Sequence, residues 1–401
     1  NRGVVLKELK YFNEALKNYD KAIELKSDYH TAYLNRGVVL HDLKRFDEAI
    51  KSYDKAIQLK SDYAEAYNFR GVALLYLARF NEADKSYDKA IQLKPNYIEA
   101  TFHKSFLKLL LGKYSEGWEL YESRKYKEDL KKNYYPESKE SWLNKKCIKG
   151  QVILIYSEQG LGDTFQFCRY LPLIKKLKPK KIFFYLDKLL SSAFTNFDKD
   201  IVIIEKGKKI PEKIDLYYPL LSLPLLFKTK LNNIPDNFPY LKPDVNKDSY
   251  WFHQLKNKKT LKIGLVWSGS KNQNINNRSL SLKNFSSVFK LPLDFHSIQK
   301  EIRANDKEDL SKYKNLIQHQ NDLKDFSDTA ALLNQMDLII SVDTSVAHLA
   351  GALGKKVWIL INYIPDFRWL LDREDSPWYP NARLFRQNKV DDWNSVIKKV
   401  E

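Results

Sequence analysis

Asn35-Arg36-Gly37-Val38-Val39-Leu40 repeats Asn1-Arg2-Gly3-Val4-Val5-Leu6 before it and returns as Phe69-Arg70-Gly71-Val72-Ala73-Leu74 after it. The spacing is 34 residues, and a fixed period of that length marks stacked helical hairpins. Tyr19, Tyr53, Tyr87 and Tyr121 fall on the same period, as do Ala15, Ala49, Ala83 and Gly117. The small residues predict close approach of the two helices of each hairpin, and the Tyr-Asp-Lys-Ala-Ile segments supply aromatic and aliphatic knobs. Pro95 comes after the helix of the third unit, where it disturbs no helical hydrogen bond. The fourth unit, from His103, drifts to Gly117-Trp118-Glu119-Leu120-Tyr121-Glu122. Terminal units drift because one face meets something other than a repeat. Trp118 and Tyr121 are therefore expected to dock on the neighbouring domain. The prediction is an all-α array of about four units over residues 1–127, the first one truncated.

Bulk composition limits the rest. At 401 residues, with 43% hydrophobic and 13% aromatic content, the chain is long enough for two or three packed units and too apolar for disorder. No apolar run approaches the roughly 20 residues that span a bilayer, and the start shows no charged-then-apolar leader. Cys147 and Cys168 share no metal-ligand spacing, and no His-Glu-x-x-His pattern occurs. A zinc site and a disulfide scaffold are both disfavoured, and the expected compartment is the cytoplasm. The net charge of +18 invites a nucleic-acid reading. It is spread in near proportion to length, however: +5 over residues 1–127 and +13 over the remainder. Solvated surface lysines explain this better than a phosphate-tracking face. No specific nucleic-acid partner is expected.

After a lysine- and tyrosine-rich linker over 128–150, the pattern changes. Val152-Ile153-Leu154-Ile155-Tyr156 is a continuous apolar run, as in a strand buried on both faces. A loop, Glu158-Gln159-Gly160-Leu161-Gly162-Asp163, leads to a predicted helix over Thr164–Leu177. Further strands are predicted at Lys181–Leu186, Ile201–Ile204 and Leu216–Pro219. A second cycle comes after the proline-bearing stretch Pro235 to Pro243. Its strands are predicted at Leu261–Trp267, Phe295–Ile298, Asn315–Gln318, Asp337–Val342 and Val357–Ile361. Strands alternating with helices imply parallel sheets. Two Rossmann-like units, 151–255 and 256–401, are expected to face a cleft. Ligands in such folds sit at the carboxyl ends of strands, here the loops 157–163, 268–278 and 343–348.

A helix beginning near Thr344 offers unpaired backbone N–H groups to a phosphate. Asp343 would repel one and suits a cap or a sugar hydroxyl partner, while Thr344 and Ser345 can donate hydrogen bonds. His348 lies on the same helix face as Thr344; a core histidine and a ligand contact are both open readings. Gly160 and Gly162 suggest a tight turn and close backbone approach to substrate. Asp163 is either the helix cap or a general base facing the cleft. Lys271, Arg278, Gln299 and Lys300, beside Ser268 and Gly269, are candidates to neutralise a leaving diphosphate.

Gly160-Leu161-Gly162-Asp163-Thr164-Phe165-Gln166-Phe167-Cys168-Arg169-Tyr170-Leu171-Pro172 and Asp343 through Leu353 carry a resemblance. So do Asp366-Phe367-Arg368-Trp369-Leu370-Leu371, Ser376-Pro377-Trp378-Tyr379-Pro380 and Arg383-Leu384-Phe385-Arg386-Gln387. With the repeats, they resemble bacterial tetratricopeptide-repeat proteins that carry a heptosyltransferase-like glycosyltransferase domain. The architecture alone is also similar to protein O-linked N-acetylglucosamine transferases. The resemblance implies the two-unit GT-B fold, acceptor on the first unit and nucleotide-sugar donor on the second. It implies an inverting, metal-independent transfer with no cofactor, Asp163 as base, and a protein or glycan acceptor that the repeats present. Gly160, Gly162, Thr164 and Gln166 would form the acceptor-side loop. The family's donor loop reads Asp-Thr-Gly-x-x-His; Asp343, Thr344 and His348 match it, and Ser345 stands in place of the glycine. Asp198-Lys199-Asp200 has the form of the metal-binding Asp-x-Asp of another transferase fold, but it precedes a strand and is read as loop. The rival reading is a non-catalytic repeat scaffold with a degenerate transferase-like half.

Overall fold

The structure, a computed structural model, describes residues 2–130, 133, 148–210, 213–256, 260–269 and 278–401. The chain divides into two compact units, Asn1–Lys131 and Lys132–Glu401.

The first unit is a helical array of four hairpins. Their helices are Arg2–Glu8 with Phe12–Leu25, His30–Asp42 with Phe46–Leu59, Ala64–Tyr76 with Phe80–Leu93, and Ile98–Leu110 with Tyr114–Tyr121. In the first three hairpins, the repeated glycine faces the repeated tyrosine. A methyl group on Gly37 would lie 2.4 Å from the Tyr53 ring, and one on Gly71 would lie 2.6 Å from Tyr87. Tyr53, Tyr87 and the small residues Ala15, Ala49 and Ala83 are wholly buried. The period is thus a packing rule, in which glycine makes room for the ring and a small residue fills each buried alanine position. A polar ladder repeats with it. Arg36 donates to Asp20 Oδ1 and Ser52 Oγ, both at 2.7 Å. Arg70 donates to Asp54 Oδ1 at 2.7 Å and Ser86 Oγ at 2.8 Å, and Lys104 meets Asp88 at 2.5 Å. In the fourth hairpin Phe102 stacks on Tyr121, and Tyr121 meets Trp118 edge-on, with the Arg124 guanidinium over the Tyr121 ring.

Among its described residues the second unit holds two all-parallel sheets. The first comprises β1 (Val152–Tyr156), β2 (Lys181–Leu186), β3 (Ile201–Glu205) and β4 (Leu216–Pro219), in the order β3-β2-β1-β4. The second comprises β5 (Lys262–Val266), β6 (Asp294–Ser297), β7 (Leu316–Gln318), β8 (Leu338–Val342), β9 (Val357–Ile361) and β10 (Ala382–Arg386). Its order is β10-β9-β8-β5-β6-β7. All five residues of β1 are buried, as a strand covered on both faces requires. The fold is therefore a tetratricopeptide-type helical array followed by a GT-B-like α/β region. Strand β10 lies in the segment Arg383-Leu384-Phe385-Arg386, which does not announce a strand because its apolar run is only two residues long.

One expectation needs correction. The helix predicted over Thr164–Leu177 is three pieces: Leu161–Phe167, a 3₁₀ turn at Cys168–Tyr170, and Leu171–Lys176. Pro172 has no N–H and its ring would strike the carbonyl four residues earlier, so the chain turns tightly before it. Between the sheets, Tyr240 N and Leu241 N donate to Ala352 O at 3.1 and 3.2 Å. The Val245–Leu255 helix, capped by Asp244, packs on Phe326–Asn334, where Lys247 meets Asp325 and Asp328 at 2.9 Å each. Asp198 and Asp200 lie in a loop and both pair with Lys175. Among the described residues no helix is long and apolar enough to cross a membrane.

Candidate active site

Two strand-to-helix junctions meet in the α/β unit. The Leu161–Phe167 helix comes after β1, the Ser345–Ala352 helix after β8, and the two pack together. Gly162 is the contact point: a methyl group there would lie 2.6 Å from His348 Cδ2. Gly160 has φ −64°, and Gly162 is helical, so neither glycine supplies a left-handed turn. Gly162 instead admits the histidine ring. The helix starts three residues earlier than predicted because Asp163, in its first turn, accepts the Gly160 N–H on Oδ2 at 2.8 Å. The carboxylate closes the helix end from inside the first turn. Thr164 and Gln166 are buried behind it.

The other oxygen of Asp163 accepts from Arg368. This guanidinium donates through Nη2 to Asp163 Oδ1, through Nε to Gln166 Oε1, and through Nη1 to Asp366 Oδ1 at 2.6 Å. It lies 4.5 Å above the Phe367 ring and is almost wholly buried. The short Phe367–Trp369 turn that carries it ends at Leu370, whose φ of 50° and ψ of −165° suit glycine, not leucine. Asp372 also has positive φ, 49°. Arg386 holds this hook by donating to Arg373 O at 2.7 Å, Leu370 O at 2.8 Å and Trp369 O. Burial pulls the pKa of the Arg386 guanidinium down to about 10.

At the second junction, Thr344 is the cap position of the Ser345–Ala352 helix, and no side chain among the described residues caps it. The Thr344 hydroxyl lies 3.2 Å from Ser341 Oγ. Asp343 does not cap the helix: it receives Arg278 Nη1 at 3.1 Å and lies 3.7 Å from His348 Nε2. Burial alone would raise the Asp343 carboxyl. Arg278, His348 and Arg368 more than offset that and hold it well below the usual carboxylate range. His348 Nδ1 sits 2.9 Å from Tyr379 Oη and its ring stacks on Trp369. It is thus a buried histidine fixed on two sides that still borders the candidate loop.

The remaining predicted residues divide. Gly269 lies beside Thr344, since a methyl group on it would come within 3.7 Å of Thr344 Cγ2. Gln299 spends its amide on the loop backbone, accepting from Trp267 N and Ser268 N and donating to Ser268 O and Glu301 O. Lys300 donates to Gln320 O at 3.0 Å at an exposed position. Lys271 lies outside the described residues. Ser268 Oγ, Gln166 Nε2 and Trp369 Nε1 are buried without a hydrogen-bond partner among the described residues.

Sequence reasoning passed over two arginines. Arg368 is one. Arg169 is the other, fully enclosed by Phe238, Tyr240, Trp378 and Tyr379, with its guanidinium carbon 4.9 to 5.3 Å from each ring centre. It donates to Gln166 O and Trp378 O at 2.7 Å and to Tyr240 Oη at 2.9 Å. The available signal was an arginine between aromatic residues, Arg169 beside Tyr170 and Arg368 between Phe367 and Trp369.

Known families fit this arrangement. Residues 3–44, 39–77 and 64–97 match tetratricopeptide-repeat profiles, and residues 312–381 match "Glycosyltransferase family 9 (heptosyltransferase)". The chain thus carries tetratricopeptide repeats and, over residues 312–381, a segment that matches the heptosyltransferase family. It is similar to Protein FlbA of Caulobacter vibrioides, 27% identical over 313 residues, 71% of this chain and 51% of that protein. The chain thus spans about half the length of the curated relative it matches. Among solved structures, the second repeat domain of human RPAP3 in complex with an HSP70 peptide is 25% identical. The match covers 27% of this chain and 89% of that one, with a TM-score of 0.26. The repeat domain of Arabidopsis OM64 is 29% identical over 26% of this chain and 88% of its own, also at 0.26.

Proposed function

We propose that the α/β unit transfers a sugar from a nucleotide-diphosphate donor to a hydroxyl acceptor with inversion. The observation that supports this most is the meeting of Asp163, Arg368, Asp366, Asp343, Arg278 and His348 at two neighbouring strand-to-helix junctions; Asp343, His348, Asp366 and Arg368 lie within the matched family segment. In this reading the acceptor lies at Gly160–Thr164. Asp163 takes the acceptor hydroxyl proton, the freed oxygen forms the new bond to the anomeric carbon, and the bond from that carbon to the diphosphate oxygen breaks. The uncapped N–H groups at Thr344–Ser345 and the two arginines, Arg278 and Arg368, receive the leaving diphosphate. Ser268 Oγ, Gln166 Nε2 and Trp369 Nε1 are unused donors suited to an acceptor-rich ligand such as a phosphosugar. The charge needed at the leaving group is available from the protein, so the proposed reaction uses neither metal nor cofactor.

The repeats, in the same reading, hold a protein or glycan acceptor or a partner. Their removal, leaving residues 132–401, would then lower acceptor selectivity while donor binding persists. The non-catalytic alternative draws on one observation: both Asp163 oxygens already have donors. A thermal-shift screen of nucleoside diphosphates and their sugars, with Asp163→Asn beside the wild type, separates the two. Donor-induced stabilisation with turnover that the variant loses supports transfer. Binding with equal nucleotide release in both proteins removes Asp163 from the chemistry, and no response to any donor removes the transferase reading.

A further inference from the structure

We infer that Arg368 is shared between two partners, Asp163 and the diphosphate of the donor, and so couples donor binding to release of the base. The inference rests on the transferase reading of this site. Three observations carry it. First, Arg368 donates to Asp163 Oδ1 while Gly160 N–H donates to Oδ2, so an acceptor hydroxyl must compete with a guanidinium for Asp163 Oδ1. Second, Arg368 stands where an anion would be drawn. Trp369, the next residue in the chain, stacks on His348 of the helix that begins at Ser345, and Arg278 pairs with Asp343 at that same junction. Third, the segment that carries it is built as a strained hook. Leu370 and Asp372 have positive φ, and Arg386 pins the carbonyls of Trp369, Leu370 and Arg373. Such a turn fixes the backbone, so the exchange falls to the Arg368 side chain and not to movement of the segment.

The physical logic is competition for one cation. A phosphate oxygen and a carboxylate both accept from a guanidinium in the same forked geometry. With no donor bound, the carboxylate keeps it and Asp163 is masked. A bound diphosphate draws it away, and Asp163 gains a free oxygen only when a leaving group is present. Arg368 is therefore a positioning residue for Asp163 and a binding residue for the donor. Gln166 Oε1 accepts from Arg368 Nε, which leaves the amide Nε2 as a donor for an incoming phosphate oxygen.

The test is a double-mutant cycle read by calorimetric binding of inorganic pyrophosphate and a panel of nucleoside diphosphates to the full chain. Asp163→Asn frees Arg368, and binding should tighten roughly five- to tenfold. Arg368→Gln should weaken it by about ten- to a hundredfold, the scale of hydrogen bonds to charged groups. The decisive arm is Asp163→Asn in the Arg368→Gln background. The gain from Asp163→Asn should vanish there, and Arg368→Lys, which keeps a point charge, should restore part of it. If Asp163→Asn tightens binding equally with and without Arg368, simple removal of a negative charge explains the gain and the sharing is refuted. An Asp163→Asn variant that binds no tighter than wild type refutes it as well. If no diphosphate binds the wild type at millimolar concentration, the transferase reading fails and this inference fails with it.

Discussion

Replacing Gly162 with alanine tests the geometry of the junction itself. The added methyl group would sit 2.6 Å from His348 Cδ2, about an ångström inside normal contact. The ring has little room to yield, because Tyr379 Oη holds Nδ1 at 2.9 Å and Trp369 stacks on its face. Overpacking of this kind costs about 1–3 kcal/mol. Alanine gains up to about 1 kcal/mol over glycine in a helix interior and less in the first turn. The net expectation is a loss of about 1–2 kcal/mol, which for a unit of this size lowers its melting temperature by roughly 2–4 °C per kcal/mol. Urea unfolding followed by tryptophan fluorescence, to which the buried Trp369 and Trp378 contribute, gives the value. Pairing Gly162→Ala with His348→Ala should recover part of the loss, since the clash is removed. A Gly162→Ala protein at least as stable as wild type would show that helix propensity outweighs the contact and that the two junctions are not tightly packed.

Single contacts carry further consequences. Tyr87→Phe removes a buried hydroxyl that has no partner, so stability should hold or rise by up to about 1 kcal/mol, while Gly71→Ala, 2.6 Å from the same ring, should lose about 1–3 kcal/mol; circular dichroism of the repeat unit distinguishes them. Arg169→Met leaves the Gln166 and Trp378 carbonyls without their charged donor and should cost the α/β unit several kcal/mol, on the scale of about 1.5–3 per charged hydrogen bond, in denaturant titration. The Asp343 carboxyl is depressed in the folded protein, so its contribution is complete above the unfolded carboxylate range and fades as pH falls through the folded value. Melting curves of the α/β unit from about pH 6 downward should therefore fall less steeply for Asp343→Asn than for wild type. Parallel slopes would exclude that linkage.

Where the sequence was informative, the information was periodic or continuous. The repeats could be read from a few residues because glycine and tyrosine must recur together for each hairpin to close. Strand β1 was legible because a strand buried on both faces carries no polar interruption. Strand β10 was not, since Ala382-Arg383-Leu384-Phe385-Arg386 interleaves two arginines that reach Glu374 and the 369–373 hook. The helix start at Leu161 was hidden because Asp163 acts from the first turn, a placement that a cap-first reading assigns to the residue before the helix. In the candidate site, Asp163, Asp343, Thr344 and His348 could be named from the junction motifs. Arg368 and Arg169 could not, because decisive partners lie 205 and 209 residues away in sequence and only folding brings them together. Gln299 shows the converse: a polar residue at the right strand end whose amide is consumed by the backbone it supports.

Consumption of a nucleotide sugar through Asp163 is the central claim for the α/β unit. Release of nucleoside diphosphate should be measured with a panel of nucleotide sugars, on the full chain and on its Asp163→Asn variant, at matched protein stability. Wild type is expected to release diphosphate from at least one donor, with a loss of at least about a hundredfold in the variant. Release that is unchanged by Asp163→Asn, or absent from every donor while none raises the melting temperature, would contradict that claim.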